Sequence, residues 1–209
     1  MRRPPTLKTT EIFASVQGEG LRQGEPTIFV RLAGCNRRCG FCDTKKAWRG
    51  GREIPVERIV EKVSRLRRGS PAAWVCLTGG EPLAQDVGPL VRRLHGEGLK
   101  VQVETNGTFP PDPAADWITV SPKPPDYDFH PGFLKRAREV KLVVCRALTL
   151  DAVRMLRRSF PPTVPLILQP QSNAPWSRKK ALKILTDASR SGLGGIRVSV
   201  QLHKVYGLR

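Results

Sequence analysis

The sequence predicts an α/β fold, built as a partial, open parallel β/α barrel of about six strands. Three observations lead there. Short, nearly continuous runs of Val, Ile and Leu recur along the chain, as strands buried on both faces of a parallel sheet require. Stretches with a 3.6-residue apolar period separate them, which is the pattern of strand–helix–strand units with right-handed crossovers. The chain has 209 residues, whereas a closed eight-unit barrel needs roughly 250. No linker, repeat or low-complexity segment divides it, so residues 1–209 read as one domain.

Strands are expected at 27–33, 74–77, 101–104, 118–121, 140–144, 166–169 and 196–200. The first helix carries the stripe Val56, Ile59, Val60, Val63 and Leu66. Pro55 suits its first turn, where a missing N–H costs nothing. Val87, Leu90, Val91 and Leu94 form a second stripe, with Asp86 as N-cap and Gly96 or Gly98 as the stop. Residues 148–156 and 181–188 supply two more helices, the latter after Ser177. The proline-containing 126–133 region is expected to be irregular and to lead into a short helix near 134–137.

Composition narrows the class. Hydrophobic residues make up 39%, a normal share for a globular protein. No apolar stretch is long enough for a transmembrane helix, and the start Met1-Arg2-Arg3-Pro4-Pro5 lacks the apolar core of a secretion signal. A cytoplasmic location is expected. The formal charge is +18, from 36 Lys and Arg against 18 Asp and Glu. Its clusters at 65–68, 135–138 and 178–180 fall on expected helices, where a solvated face is the default. No basic run is interleaved with aromatics, so direct nucleic-acid binding is not expected. An acidic electron-transfer protein fits the same charge.

Cys35, Cys39 and Cys42 form a Cys-x3-Cys-x2-Cys cluster. Zinc completed by a distant ligand, a disulfide or unrelated thiols are the bland alternatives. A chain without a secretion signal argues against disulfides, and zinc ligands usually come as spaced pairs. Cys76 and Cys145 each stand alone in apolar runs, and His95, His130 and His203 are scattered. Three thiolates can instead hold three corners of a 4Fe–4S cube, leaving one iron open. With Phe41 just before the last cysteine, the segment resembles the radical S-adenosylmethionine (SAM) enzymes. That resemblance implies that SAM chelates the open iron.

Polar motifs end nearly every expected strand, on the edge where ligands gather in parallel α/β folds. They are Thr78-Gly79-Gly80-Glu81-Pro82, Glu104-Thr105-Asn106-Gly107-Thr108, Ser121-Pro122-Lys123-Pro124, Gln169-Pro170-Gln171-Ser172-Asn173 and Gln201-Leu202-His203-Lys204. The glycine pair lets backbone carbonyls approach a ligand closely, and an ammonium group wants those carbonyls and a carboxylate such as Glu81. Singly, each motif is also an ordinary turn or a solvated side chain. Gly18-Glu19-Gly20 reads alone as a hairpin bend. Arg31 sits mid-strand among apolar residues and needs an anion: a substrate carboxylate, or an internal bridge to Glu19 or Glu104.

Taken together, these motifs resemble the 7-carboxy-7-deazaguanine synthase family over almost the whole chain, including Glu11-Ile12-Phe13, Gln17-Gly18-Glu19-Gly20, 29–36 and Cys42-Asp43-Thr44. The resemblance implies conversion of 6-carboxy-5,6,7,8-tetrahydropterin to 7-carboxy-7-deazaguanine by a SAM-derived radical, with ring contraction and loss of ammonia, in the route to queuosine-type tRNA bases. It places the cluster on Cys35, Cys39 and Cys42. It places SAM at Phe41, Gly80, Glu81, Ser121, Pro122, Lys123, Gln169, Gln171 and Asn173. It places the pterin at Val16, Gln17, Gly18, Arg31 and Thr78, with the terminal carboxylate of Arg209 also within its scope. Thr44 matches a Mg²⁺ ligand, in keeping with magnesium's preference for oxygen; by default it is a helix cap. A homodimer and an electron donor such as flavodoxin or ferredoxin are further implications. The competing readings are a glycyl-radical-enzyme activase and a non-catalytic metal-binding RNA module.

Overall fold

The structure, a computed structural model, describes residues 4–112 and 114–208. One nine-stranded sheet organises them: β1 (Thr6–Val16), β2 (Pro26–Leu32), β3 (Arg52–Pro55), β4 (Trp74–Gly79), β5 (Lys100–Thr105), β6 (Trp117–Val120), β7 (Glu139–Val144), β8 (Leu166–Pro170) and β9 (Ile196–Val198). Its order is β3-β1-β2-β4-β5-β6-β7-β8-β9. From β2 onward every neighbour is parallel, whereas β1 pairs antiparallel with both β2 and β3. The seven expected strands are all present as the parallel run. The antiparallel pair β1 and β3 was not anticipated.

The helices are α1 (Val56–Arg67), α2 (Gly88–Gly96), α3 (Phe133–Arg136), α4 (Leu150–Ser159), α5 (Pro175–Arg190) and α6 (Leu202–Val205). Val56, Ile59, Val60 and Val63 of α1 and Leu90, Val91 and Leu94 of α2 are buried, so both stripes face the sheet. Burying one such side chain stabilises by about 1.5–3 kcal/mol. Several helix starts differ from expectation. Pro55 is the cap of α1 rather than a first-turn residue. Val87 caps α2, while Asp86 Oδ1 accepts from the Gly88 N–H at 3.1 Å. Thr149 caps α4 through the Ala152 N–H. α5 begins at Pro175, so Ser177 lies inside it. Ser177 Oγ donates to Val144 O at 2.6 Å and accepts from Gln171 N–H at 2.8 Å, tying α5 to the ends of β7 and β8. Among the described residues no helix is long and apolar enough to cross a membrane.

The inner parallel strands β4 to β8 are buried along most of their length, with the helices packed on the sheet. This packing leaves a concave edge at the carboxyl ends of the parallel strands. Gln17 N–H bonds Glu25 O and Gly24 N–H bonds Gln17 O, closing the β1–β2 hairpin. This confirms the hairpin bend at Gly18-Glu19-Gly20 and swings Glu19 toward that edge.

Candidate active site

A cavity of about 260 Å³ opens at the carboxyl ends of the strands. At its mouth lies the loop after β2. All five cysteines are free thiols, with Cys35, Cys39 and Cys42 partly exposed and Cys76 and Cys145 buried. Burial first, and then the neighbouring sulfurs and Glu81, push the Cys35 thiol up. Burial likewise raises Cys39, against the pull of Lys123.

Backbone contacts set the loop. Gly34 N–H bonds Ala47 O at 2.9 Å, Glu81 N–H bonds Gly34 O at 2.7 Å, and Gly80 N–H bonds Leu32 O at 3.0 Å. A Cβ on Gly80 would lie 1.9 Å from Gly34 O, and one on Gly79 2.1 Å from Leu32 O. The glycine pair thus admits the cysteine loop itself against β4. Side chains complete the stitching. Asn36 Nδ2 donates to Thr108 Oγ1 at 2.8 Å, and Asn106 Nδ2 donates to Asn36 Oδ1 at 2.9 Å.

Glu81 is fully buried and does not line the cavity. Its carboxylate accepts from Leu83 N–H, Thr105 Oγ1 and Asn106 N–H at 3.0, 2.7 and 2.6 Å. It thereby organises the β4 and β5 ends behind the cavity wall. Lys123 Nζ donates to Ser121 Oγ, which in turn donates to Lys141 O. Thr44 occupies the cap position of a short 3₁₀ turn (Lys45–Ala47) without making a cap bond. Its hydroxyl donates to Asp43 Oδ1 at 3.0 Å and lies 3.4 Å from an Arg31 guanidinium nitrogen.

Arg31 pairs with Glu11, Nε to Oε1 at 2.7 Å, and Lys46 reaches the same oxygen at 3.0 Å. The internal partner is therefore neither Glu19 nor Glu104. Glu11 stands opposite Arg31 in the β1–β2 ladder, and the stacked rings of Phe13 and Phe29, 5.2 Å apart, lie beside them. Glu19 and Glu104 instead share Lys141, each 2.7 Å from its Nζ. Burial alone would raise Glu19, but the charge and hydrogen bond of Lys141 outweigh it and bring its carboxyl down to about 2. Glu104 is pushed up, by its burial and by the charges of Glu139 and Glu19, in spite of Lys141. Gln17 Nε2 donates to Gln102 Oε1 at 2.9 Å beneath them.

Of the residues the sequence pointed to, Val16, Gln17, Gly18, Arg31, Cys35, Cys39, Phe41, Cys42, Thr44, Thr78, Gly80, Ser121, Lys123, Gln169 and Gln171 line this one cavity. Glu81, Pro122 and Asn173 do not; Asn173 Nδ2 donates to Gln201 O at 2.9 Å, and its Oδ1 accepts from Gln201 N–H. Arg209 lies outside the described residues. Lys141 was missed. Its signal is the one that exposed Arg31, a charge inside an otherwise apolar strand. His203 Nδ1 packs on Gly18, where a Cβ would come within 2.3 Å of it.

The donor set fits a cube better than a single ion. Among the described residues, the group whose ligand atoms converge within 4.8 Å is Glu19, Asp43 and His203, not the three cysteines. Three thiols spread around a cavity mouth suit a cluster that presents one iron inward. A parallel β/α sheet with such a loop after its first parallel strand defines a radical SAM enzyme, and the profile of the Radical SAM superfamily matches residues 29–168.

Relatives narrow this class. A 7-carboxy-7-deazaguanine synthase of Aquifex aeolicus is 35% identical, covering 100% of this chain and 98% of its own length. One from Synechocystis is 34% identical over 95% and 92%. The crystal structure of QueE from Escherichia coli superposes with a TM-score of 0.78 at 31% identity, covering 95% of each chain. The chain belongs to the 7-carboxy-7-deazaguanine synthase family. It is a radical SAM enzyme of 7-deazapurine biosynthesis with a 4Fe–4S cluster and SAM as cofactors. The activase and RNA-module alternatives are not favoured.

Proposed function

We propose that the protein converts 6-carboxy-5,6,7,8-tetrahydropterin to 7-carboxy-7-deazaguanine and ammonia inside the described cavity. The observation that carries this reading is the meeting, in one cavity, of the three cysteines, the Arg31 guanidinium and the Glu19–Lys141–Glu104 floor. When bound, the cluster and SAM supply one-electron cleavage and hydrogen abstraction. The chain's task is to hold, orient and shield.

Cys35, Cys39 and Cys42 hold the cluster in this reading. Phe41, Gly80, Ser121, Lys123, Gln169 and Gln171 face SAM from the cavity wall, while Glu81, Pro122 and Asn173 support that wall from behind. Val16, Gln17, Gly18 and Thr78 contact the pterin. Arg31 takes the substrate carboxylate: Glu11 occupies its Nε, and one terminal nitrogen lies toward Thr44. Thr44 would hold Mg²⁺ through its hydroxyl oxygen, the ligand type that ion prefers, with Asp43 Oδ1 3.0 Å and an Arg31 guanidinium nitrogen 3.4 Å from that hydroxyl. The exposed residues Arg38, Lys45, Lys46 and Arg49 on the cysteine loop suit docking of an acidic electron donor such as flavodoxin or ferredoxin. The free thiols suit a reducing cytoplasm. A homodimer rests on the family resemblance.

The test is anaerobic incubation of reconstituted protein with reductant, SAM and the carboxypterin. A deazapurine chromophore and released ammonia are expected. SAM cleavage without any deazapurine would overturn the assignment.

A further inference from the structure

The cavity floor is held by one ammonium. Lys141 rises from the middle of β7 and is 7% exposed. It bridges Glu19 Oε2 and Glu104 Oε2 at 2.7 Å each. The remaining carboxylate oxygens are fixed as well. Gln201 Nε2 donates to Glu19 Oε1 at 2.6 Å, and Gln102 Nε2 donates to Glu104 Oε1 at 3.0 Å. Both carboxylates line the cavity. Lys123 lines the same cavity and feels both carboxylates, and Glu139 acts on Glu104, but the contact at 2.7 Å to each carboxylate is that of Lys141.

We propose that Lys141 is a positioning residue for substrate, aiming Glu19 and Glu104 into the cavity as paired acceptors for the N–H donor edge of an aminopyrimidinone ring. The inference rests on the pterin reading given above. The chemistry favours it over simple packing. Buried like charges at close range cannot both ionise without a counter-ion. Without the ammonium, one carboxyl takes a proton or turns away, and an acceptor becomes a donor. A methylene stem of the same length would keep the packing but lose the aim.

The experiment compares wild type, Lys141→Met and Lys141→Arg as reconstituted holoenzymes, under anaerobic conditions. Pterin and SAM affinities are measured separately by calorimetry, alongside KM and kcat. Lys141→Met is expected to weaken pterin binding by roughly 30-fold, as losing one partner of a buried charge pair does, with SAM affinity within about twofold of wild type. KM should rise more than kcat falls, and Lys141→Arg should recover part of the loss. Unchanged pterin affinity in Lys141→Met, or equal weakening of pterin and SAM, overturns the proposal. If Lys141→Met does not fold, Lys141→Arg decides: a selective loss for pterin supports it, and equal affinities for both ligands overturn it. Wild type that fails to bind the pterin sinks the functional reading instead, so the two failures are distinct.

Discussion

The mouth and the floor of the same cavity are built on opposite principles. At the floor, Glu19, Glu104 and Lys141 satisfy one another, with Gln102 and Gln201 closing the network. At the mouth, three thiols stand partly exposed on a loop held by backbone contacts, two asparagines and longer ties at Asp43 and Arg37. The floor is preorganised by folding; the mouth is completed by what binds there. Substitutions at the mouth should therefore act on function with little effect on fold, and substitutions at the floor should act on both.

The sharpest way to break that contrast is Cys35→Ala. The thiol is partly exposed and its hydrogen bond is a local one to the backbone of Arg37, so the melting temperature of the cluster-free protein should change by less than about 2 °C, in line with the small effects of surface substitutions. Iron and sulfide content after reconstitution should fall well below four per chain, and turnover by more than about 10³-fold, because a cube needs its ligands. A variant that keeps both would return the three cysteines to coincidence.

Acid should find the floor first. Glu19 has an ordinary value of 4.5, lowered to about 2 in the folded protein. A lowered carboxyl contributes stability that is full above pH 4.5 and lost as pH falls from there toward 2. At about 1.36 kcal/mol per unit, the contribution is on the order of 3 kcal/mol. Thermal melts of cluster-free protein at pH 6, 4 and 3 should show the loss, and Glu19→Gln should flatten it. An identical acid slope in wild type and Glu19→Gln would mean the floor is not preorganised by this pair.

The glycine pair tests where the two regions meet. Gly80→Ala places a methyl against Gly34 O, a backbone atom that yields only if the loop moves. The expected cost is about 1–3 kcal/mol, as for overpacking elsewhere, with reduced cluster loading. Normal stability and loading together would show that the loop is not clamped to β4.

How much of this was legible depended on whether a signal lay within one segment. The parallel strands announced themselves through local apolar runs, and the polar motifs at their ends marked the cavity edge. β1 did not. Its burial is irregular and its ladder with β2 shifts between Thr9 and Glu11, so no clean alternation appears in the residues. Missing β1 also hid the partner of Arg31, because Glu11 faces it only once those strands are paired. Glu81 shows a different limit. Its type suited an ammonium, but its direction was set by Thr105 and Asn106, which sequence separation concealed.

The smallest expected effect lies in the asparagine bridge. Asn36 follows Cys35 directly, and its amide accepts from Asn106 and donates to Thr108. Asn36→Ala removes two neutral hydrogen bonds at an exposed position, so the stability cost should be about 0.5–1.5 kcal/mol. The cysteine loop should nonetheless sit less firmly against the β5 end. Broadened electron paramagnetic resonance lines of the reduced cluster are expected, with near-normal iron content. If the spectrum matches wild type with and without SAM, the loop draws its order from its other contacts, at Gly34, Gly80, Arg37 and Asp43, and the mouth is more rigid than the contrast with the floor implies.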